Sequence, residues 1–251
     1  MDLARAKRVF GAAGPAVAVP SLPLSIAVQE RCALMALALC ALALGAFAIG
    51  TTEFVIMGLL PQVAGGLDVS VATAGNLISA YALGVVVGAP LLTAVATRLG
   101  RKPALLAFLA LFVLGNVATV LVPGYAGVFA SRVIAGLPHG AYLGAASLVA
   151  AQLVGPARQA TAVARVLMGL TIANIVGVPA GTFLGQIFGW RAAFLVVGVL
   201  GLLAAAGVAW FVPSLPKPDG VGLRTEVVAL GRKQVVLGLT TAVFGFAGVF
   251  A

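Results

Sequence analysis

Glu53 is a carboxylate inside a long apolar run, within the stretch Ala46 to Pro61. A charged side chain at the centre of a bilayer costs about 2.5–3.5 kcal/mol even on the insertion scales that give the lowest values. An acid in such a run is therefore expected to serve a function or to have a partner. Proton carriage is one chemistry that membrane carboxylates perform.

Two other ionisable residues, Arg132 and His139, lie in a later apolar run. Because a helix rises about 1.5 Å per residue, the expected helix ends place Glu53 and Arg132 at similar depths. A buried acid and a buried base at one depth are natural partners, and His139 follows on the same face near the midplane. Glu53 is either a proton carrier or half of a purely structural ion pair with Arg132. His139 is either a site residue or binds a carbonyl that Pro138 frees.

Three neutral polar side chains complete the candidate proton-coupling and substrate cavity: Asn76, Tyr81 and Asn174. Asn174, like Asn116, is also open to interpretation as an interhelical hydrogen bond. The patterns H-E-x-x-H, G-x-S-x-G and the Walker loop are absent from the sequence. The two cysteines, Cys32 and Cys40, have no ligand at metal-binding spacing. The sequence therefore predicts no enzyme, no metal site and no cofactor.

Composition excludes a water-soluble domain. Of the 251 residues, 62% are hydrophobic and 8% are charged, whereas about a quarter of an ordinary globular domain is charged. The chain has too little polar surface to cover a water-facing core, so the lipid bilayer is its expected surrounding. The net charge of +9 is interpreted as cytoplasmic loop charge, and no nucleic-acid partner is expected.

The sequence predicts an all-α integral membrane fold with six helices that can each cross about 30 Å of hydrocarbon. They are expected at residues 32–60, 71–97, 103–122, 126–154, 157–188 and 192–212. The domain boundaries follow as a disordered cytoplasmic tail (1–31), a six-helix bundle (32–213), a cytoplasmic linker (214–233) and the start of a truncated seventh helix (234–251). Because that helix is still apolar at Ala251, the chain is expected to be a fragment or a truncated product.

Several residues are expected to set the ends, kinks and packing faces of these helices. Pro61 is expected to end the first helix, and Ser70 to cap the second. Pro90, Pro138 and Pro179 lie inside helices, where each favours a kink. Glycines spaced by four residues mark faces for close helix packing. They are Gly84 and Gly88, then Gly136, Gly140 and Gly144, and finally Gly177, Gly181 and Gly185.

The basic residues place the N-terminus in the cytoplasm of a multi-pass plasma (inner) membrane protein. The expected cytoplasmic segments hold Arg5, Lys7, Arg8, Arg31, Arg98, Arg101, Lys102, Arg158, Arg165, Lys217, Arg224, Arg232 and Lys233. The expected outer loops hold only Arg191. A faint similarity between residues 99–105 and 188–194 fits two inverted three-helix repeats, as transporters often have.

Four motifs together resemble one family. They are T-T-E-F-V-I-M-G-L-L-P-Q-V-A (51–64), N-L-I-S-A-Y-A-L-G-V-V-V-G-A-P (76–90), R-V-I-A-G-L-P-H-G-A (132–141) and G-V-P-A-G-T-F-L-G (177–185). The chain resembles the N-terminal half of the major facilitator superfamily, in its twelve-helix drug:proton antiporter group with arabinose-efflux and chloramphenicol-exporter relatives. The resemblance associates Arg132 with proton coupling. It also makes Gly177, Pro179, Gly181 and Gly185 part of an antiporter motif.

The loop after the second helix departs from that family. The family pattern G-x-x-x-D-R-x-G-R-[RK] reads T-A-V-A-T-R-L-G-R-K here, over residues 93–102. Thr97 replaces an aspartate that in the family helps to lock the outward-open state, and its hydroxyl is a weaker partner than a charge. The rest of the conformational loop remains, as Arg98, Gly100, Arg101 and Lys102.

The resemblance implies half of a secondary transporter that exports a small drug-like or sugar-like compound in exchange for protons. The expected partners are this substrate, protons and a C-terminal six-helix bundle. Protonation of Glu53 is expected to favour one state of a rocking bundle. The alternative is a truncated six-helix membrane protein that does not transport, or a structural partner subunit.

Overall fold

The computed structural model describes residues 24–215, together with 237–238 and 240–241. The chain divides into two units, Met1–Leu34 and Met35–Ala251. In the first unit the described residues, 24–34, are helical. Most of the predicted linker (214–233) and of the predicted seventh helix (234–251) lies outside the described residues.

Helices make up almost all of the described chain. They are α1a (Leu24–Val55), α1b (Leu60–Leu67), α2 (Val71–Ala96), α3 (Arg101–Leu121), α4a (Gly124–Gly136), α4b (Pro138–Leu153), α5a (Gln159–Ile172), α5b (Val178–Phe188) and α6 (Trp190–Phe211). Short 3-10 turns lie at Met57–Leu59 and Pro156–Arg158, and a π-helical turn at Ala173–Gly177 joins α5a to α5b.

Six segments of the described chain are long and apolar enough to cross a membrane. They are Cys32–Val55, Val71–Ala96, Arg101–Leu121, Gly124–Leu153, Pro156–Phe188 and Trp190–Phe211. Large apolar side chains, among them Val86, Leu114 and Trp210, are more than half exposed on these helices. Such apolar exposure suits contact with lipid tails. The chain is therefore a multi-pass membrane protein.

The first helix differs from its predicted bounds at both ends. It begins at Leu24, so that residues 24–31, expected in the tail, belong to α1a. It ends at Val55, well before Pro61, and a 3-10 turn follows. Pro61 lies instead in the first turn of α1b, where its missing amide proton costs nothing. The expectation that Pro61 ends the first helix was wrong, because proline suits a helix start as well as a stop.

The other turn residues act locally. The Ser70 side chain accepts a hydrogen bond from the amide of Thr73 at 3.1 Å and so caps α2, as predicted. Span 4 is divided into α4a and α4b at Leu137, directly before Pro138, although Leu137 keeps α-helical backbone angles (φ −49°, ψ −48°). Pro90, in contrast, lies inside α2 without interrupting it. A proline in a span is tolerated when neighbouring groups satisfy the freed carbonyl.

Small residues bring helices into close contact. A Cβ atom on Gly84 would clash with the carbonyl oxygen of Val133, and one on Gly136 with the carbonyl oxygen of Tyr81. The backbones of α2 and α4a therefore approach closely, as small-residue faces allow in membranes. Gly144 differs, because a Cβ there would meet open space.

A buried polar layer separates two apolar clusters in the bundle. One cluster includes Ile49 and Phe112, and the other includes Val55 and Phe194. The buried polar residues that lie between them along the chain are Thr51, Thr52, Asn116, Thr119, Ser131 and Arg132. Since no water competes at this depth, each buried polar group needs an internal partner. This layer holds the candidate site.

Candidate functional site

Arg132 binds the end of α1a through one residue, Thr52. Its Nη1 donates to the Thr52 hydroxyl at 3.1 Å, and its Nη2 donates to the Thr52 carbonyl oxygen at 2.8 Å. Both residues are 0% exposed. A guanidinium presents several donors in a rigid plane, which lets one side chain bind two oxygens of the same residue. Arg132 therefore ties α4a to α1a at a fixed distance.

Thr52 also forms a hydrogen bond with α3. Its hydroxyl donates to Oδ1 of Asn116 at 2.6 Å, and Nδ2 of Asn116 donates to the Phe112 carbonyl oxygen at 2.9 Å. The Thr52 hydroxyl is thus donor and acceptor at once, and Asn116 forms the interhelical hydrogen bond that its sequence position suggested. A network of buried hydrogen bonds rigidifies the helices that it joins.

Aromatic rings cover the Arg132 charge on two sides. The guanidinium carbon lies 4.7 Å from the ring centroid of Tyr81 and 5.0 Å from that of Phe194. Cation–π attraction of this kind is strongest where the charge is desolvated. Nε of Arg132 has no hydrogen-bond partner among the described residues. The charge is therefore held by Thr52 and by rings rather than by a carboxylate.

Glu53 faces His139 instead of Arg132. Oε2 of Glu53 lies 3.9 Å from Nδ1 of His139, and the two form an ion pair only when the ring is protonated. The expected contact of Glu53 with Arg132 is not formed, because the guanidinium already binds Thr52. Glu53 remains within electrostatic range of Arg132. Its side chain is 23% exposed and that of His139 is 12% exposed.

Tyr81 completes this group from α2. Its hydroxyl lies 3.1 Å from Nδ1 of His139, and the two rings meet edge to face. Tyr81 is 2% exposed and also lies over Arg132. Four of the predicted site residues, Glu53, Tyr81, Arg132 and His139, therefore lie together, on α1a, α2, α4a and α4b.

Two predicted site residues do not join this group. Asn76 and Asn174 are both exposed on the surface of the described bundle. Nδ2 of Asn174 donates to the carbonyl oxygen of Leu170 on its own span at 3.1 Å. Asn174 lies in the π-helical turn that precedes Pro179. Since proline cannot donate to the carbonyl four residues earlier, a wider turn there re-pairs the backbone.

The antiporter-motif glycines contact the end of α1a and the 3-10 turn that follows it. A Cβ on Gly177 would meet the Thr51 hydroxyl, one on Gly181 would meet Val55 at 2.8 Å, and one on Gly185 would meet Leu59 at 2.6 Å. Span 5 therefore packs its glycine face against the segment of α1a that carries Thr52 and Glu53. Pro179 itself is exposed.

The conformational loop lies beside a cavity of about 290 Å³. The Thr97 hydroxyl lines it and donates to the Ala94 carbonyl oxygen of its own helix at 2.7 Å, so it binds no neighbouring helix there. Arg101 also lines the cavity, and its buried Nε has no partner among the described residues. Nζ of Lys102 donates to the carbonyl oxygen of Ala209 near the end of α6 at 2.6 Å. A cation suits the negative end of a helix.

A sequence profile described as the Major Facilitator Superfamily matches residues 42–251. The chain belongs to this superfamily. Among curated facilitators, it is 49% identical to the inner membrane transport protein YdhP of Escherichia coli K12, over 80% of this chain and 52% of that protein. It is 38% identical to the chloramphenicol resistance protein of Streptomyces lividans, over 87% of this chain and 55% of that protein. The chain spans about half the length of the curated relatives that it matches.

Solved facilitator structures share the fold. The xylose transporter XylE from E. coli, in an inward open conformation, superposes with a TM-score of 0.64 over 83% of this chain and 55% of that chain, at 15% identity. The peptide transporter POT superposes with a TM-score of 0.63 over 82% of this chain and 45% of that chain, at 16% identity. The described helices therefore form the N-terminal bundle of the facilitator fold.

Sequence reasoning missed the importance of Thr52. Nothing in the first motif marks Thr52 as a partner of Arg132. A threonine in an apolar helix usually donates its hydroxyl hydrogen bond to a carbonyl of its own helix. Its neighbour Thr51 does so, donating to the Phe47 carbonyl oxygen at 2.8 Å. Which of two adjacent threonines meets Arg132 depends on the rotation of α1a, which packing sets.

Proposed function

We propose that the chain is the N-terminal bundle of a secondary transporter that exports a small drug-like or sugar-like compound in exchange for protons. The observation that carries the proposal is Glu53. It is the sole Asp or Glu within the six spans of the described chain, it is partly exposed, and it lies among ionisable and aromatic groups. An intramembrane carboxylate in such surroundings is a functional site by default.

Relatives support transport as the general activity. One is named an inner membrane transport protein and another a chloramphenicol resistance protein, and the matched structures are of xylose and peptide transporters. Alternating access in facilitators is a rocking of one bundle against another around a central site. Half of that arrangement is described here, and a C-terminal bundle is the proposed partner.

The site suggests how protonation changes the bundle. Arg132 keeps its contacts with Thr52 in either state of Glu53, because those acceptors are a hydroxyl and a carbonyl. The negative charge of Glu53 attracts Arg132 and a protonated His139, and a proton on Glu53 removes this attraction. A ligand shifts a conformational equilibrium only by its differential affinity for the two states. The proton is proposed to be such a ligand, with Glu53 as its binding group.

The test uses Glu53→Gln in the full-length gene product that contains this chain. Efflux of a compound panel is followed in everted membrane vesicles with an imposed proton gradient. We expect the variant to lose gradient-driven transport while it still binds substrate. The matched control is Asp68→Asn, which removes a carboxylate outside the spans, at an exposed left-handed position (φ 54°) that asparagine also adopts. Unchanged proton-driven efflux in Glu53→Gln overturns the proposal.

A non-transporting product is the alternative, either a truncated six-helix protein or a structural partner subunit. Reading the gene beyond codon 251 separates the two. Further apolar helices downstream support the transporter, and a stop codon there favours the alternative.

Topology is part of the same proposal. We place the N-terminus in the cytoplasm and the protein in the inner membrane, and we assign residues 214–233 as a hinge between two bundles. These assignments rest on the charge distribution and on the family resemblance. The conformational loop, from Thr97 to Lys102, would then lie at the cytoplasmic end of the bundle.

A further inference from the structure

The ring of His139 offers one nitrogen to two competing partners. Nδ1 lies 3.1 Å from the Tyr81 hydroxyl and 3.9 Å from Oε2 of Glu53. The first distance is a hydrogen bond and the second is too long for one. An unprotonated Nδ1 accepts a hydrogen bond from the Tyr81 hydroxyl. A protonated Nδ1 instead donates a hydrogen bond, and the positively charged ring is attracted by the Glu53 carboxylate. Nδ1 cannot accept from Tyr81 and donate to Glu53 at the same time.

We propose that His139 relays protons to Glu53, and that the Tyr81 hydroxyl holds the relay in its resting state. This role rests on the proposed function, because it assigns the route by which a proton reaches Glu53. At rest, Nε2 carries the proton of the neutral ring and Nδ1 accepts from Tyr81. A proton from water binds Nδ1, which displaces the Tyr81 hydroxyl. The Nδ1 proton then moves to Oε2 of Glu53. This leaves a neutral carboxylic acid and a neutral ring, to which Tyr81 returns.

The transfer step requires the 3.9 Å separation between Nδ1 of His139 and Oε2 of Glu53 to close by about 1 Å to hydrogen-bond length. The Glu53 side chain is 23% exposed, so its carboxylate can turn toward the ring by rotation about its own side-chain bonds. Arg132 does not hold the carboxylate back, because its guanidinium is bound to Thr52.

The charges around His139 agree with this assignment. The titratable groups that face its ring among the described residues are Glu53 on α1a and Tyr81 on α2. Arg132, on its own span, is covered by the Tyr81 and Phe194 rings and bound to Thr52. Glu53 is therefore the group that stabilises a positive charge on the ring, and Tyr81 is the group that stabilises the neutral ring.

Nuclear magnetic resonance can test the relay directly, because His139 is the single histidine of the chain. The chain is labelled with ¹⁵N-histidine and reconstituted in lipid nanodiscs, so that one imidazole gives both nitrogen signals. In the wild type we expect a neutral ring protonated on Nε2. In Tyr81→Phe we expect the Nδ1–H tautomer to appear, because the hydroxyl that favours a bare Nδ1 is gone. In Glu53→Gln we expect the pH titration of the ring to differ from that of the wild type, because the carboxylate that faces a protonated Nδ1 is gone.

Two controls keep this test specific. Tyr125→Phe removes a hydroxyl that binds the Thr73 carbonyl oxygen and should leave the imidazole signals unchanged. Glu53→Asp keeps the charge and should titrate closer to the wild type than Glu53→Gln does. The relay is overturned if Tyr81→Phe keeps the wild-type tautomer and Glu53→Gln keeps the wild-type titration.

The outcomes separate the relay from the proposed function. If the imidazole responds as expected but Glu53→Gln exports with an unchanged proton dependence, the interaction of His139 with Glu53 and Tyr81 is supported and the proposal of proton-coupled export is contradicted. If the imidazole does not respond but Glu53→Gln abolishes gradient-driven export, Glu53 works without His139 and the relay alone falls.

Discussion

Arg132 holds Thr52 by both its hydroxyl and its carbonyl oxygen, and not by the carboxylate of the next residue. The two contacts, at 3.1 and 2.8 Å, give a buried cation neutral partners that do not change with protonation. Glu53 is thereby left partly exposed, next to a buried cation that it does not contact. This position fits the proton-binding role that we propose for Glu53.

Thr52→Val should destabilise the bundle. The substitution keeps the shape but leaves Nη1 of Arg132 and Oδ1 of Asn116 without this partner, which costs about 1–3 kcal/mol. Thermal unfolding in detergent measures the loss. Thr51→Val is the matched control, because Thr51 binds a carbonyl of its own helix and its loss should cost about 1 kcal/mol or less. Equal effects of the two substitutions would contradict the network.

Gly84→Ala should separate α2 from α4a. The added Cβ meets the Val133 carbonyl oxygen, which is backbone and cannot turn aside. Overpacking of this kind costs about 1–3 kcal/mol. Gly144→Ala is the control, since its Cβ meets open space and should change stability by less than about 0.5 kcal/mol. A lower unfolding temperature for Gly84→Ala alone supports the close packing, and equal temperatures would count against it.

Substitution of two asparagines within the spans should affect stability to different extents. Asn116→Ala removes the partner of the Thr52 hydroxyl and should cost about 1–3 kcal/mol. Asn174→Ala alters an exposed side chain bonded only to its own helix and should change stability by less than about 0.5 kcal/mol. In the full-length protein we expect Asn174→Ala to change the apparent affinity for substrate instead. Thermal unfolding and substrate-binding titrations distinguish these outcomes.

Membrane orientation can be read by cysteine labelling. With Cys32 and Cys40 replaced by serine, a single cysteine is placed at one of two exposed positions at opposite ends of the bundle. These are Pro123, in the loop before α4a, and Ala157, in the 3-10 turn before α5a. A membrane-impermeant maleimide should label Pro123→Cys in intact spheroplasts and Ala157→Cys only in inverted vesicles. The reverse pattern would place the N-terminus outside.

The spans and the motifs were predictable because both depend on local properties of the sequence. Six apolar runs of sufficient length specify spanning helices, since every buried backbone group must be paired inside its own segment. Ser70 as a cap follows from a single side chain. Pro61 was misjudged because the same residue stops one helix or starts another, and only the observed break at Ile56 distinguishes the two.

The sequence alone determined that Glu53, Arg132, His139 and Tyr81 lie inside the membrane, where ionisable groups must have partners. Tertiary structure decided which partners they have. The rotation of α1a turns Thr52, rather than Glu53, toward Arg132, and the packing of α4b against α1a and α2 brings His139 to Glu53 and Tyr81. These pairings depend on the packing of four helices, and side-chain spacing along one helix carries no information about the rotation of its neighbours.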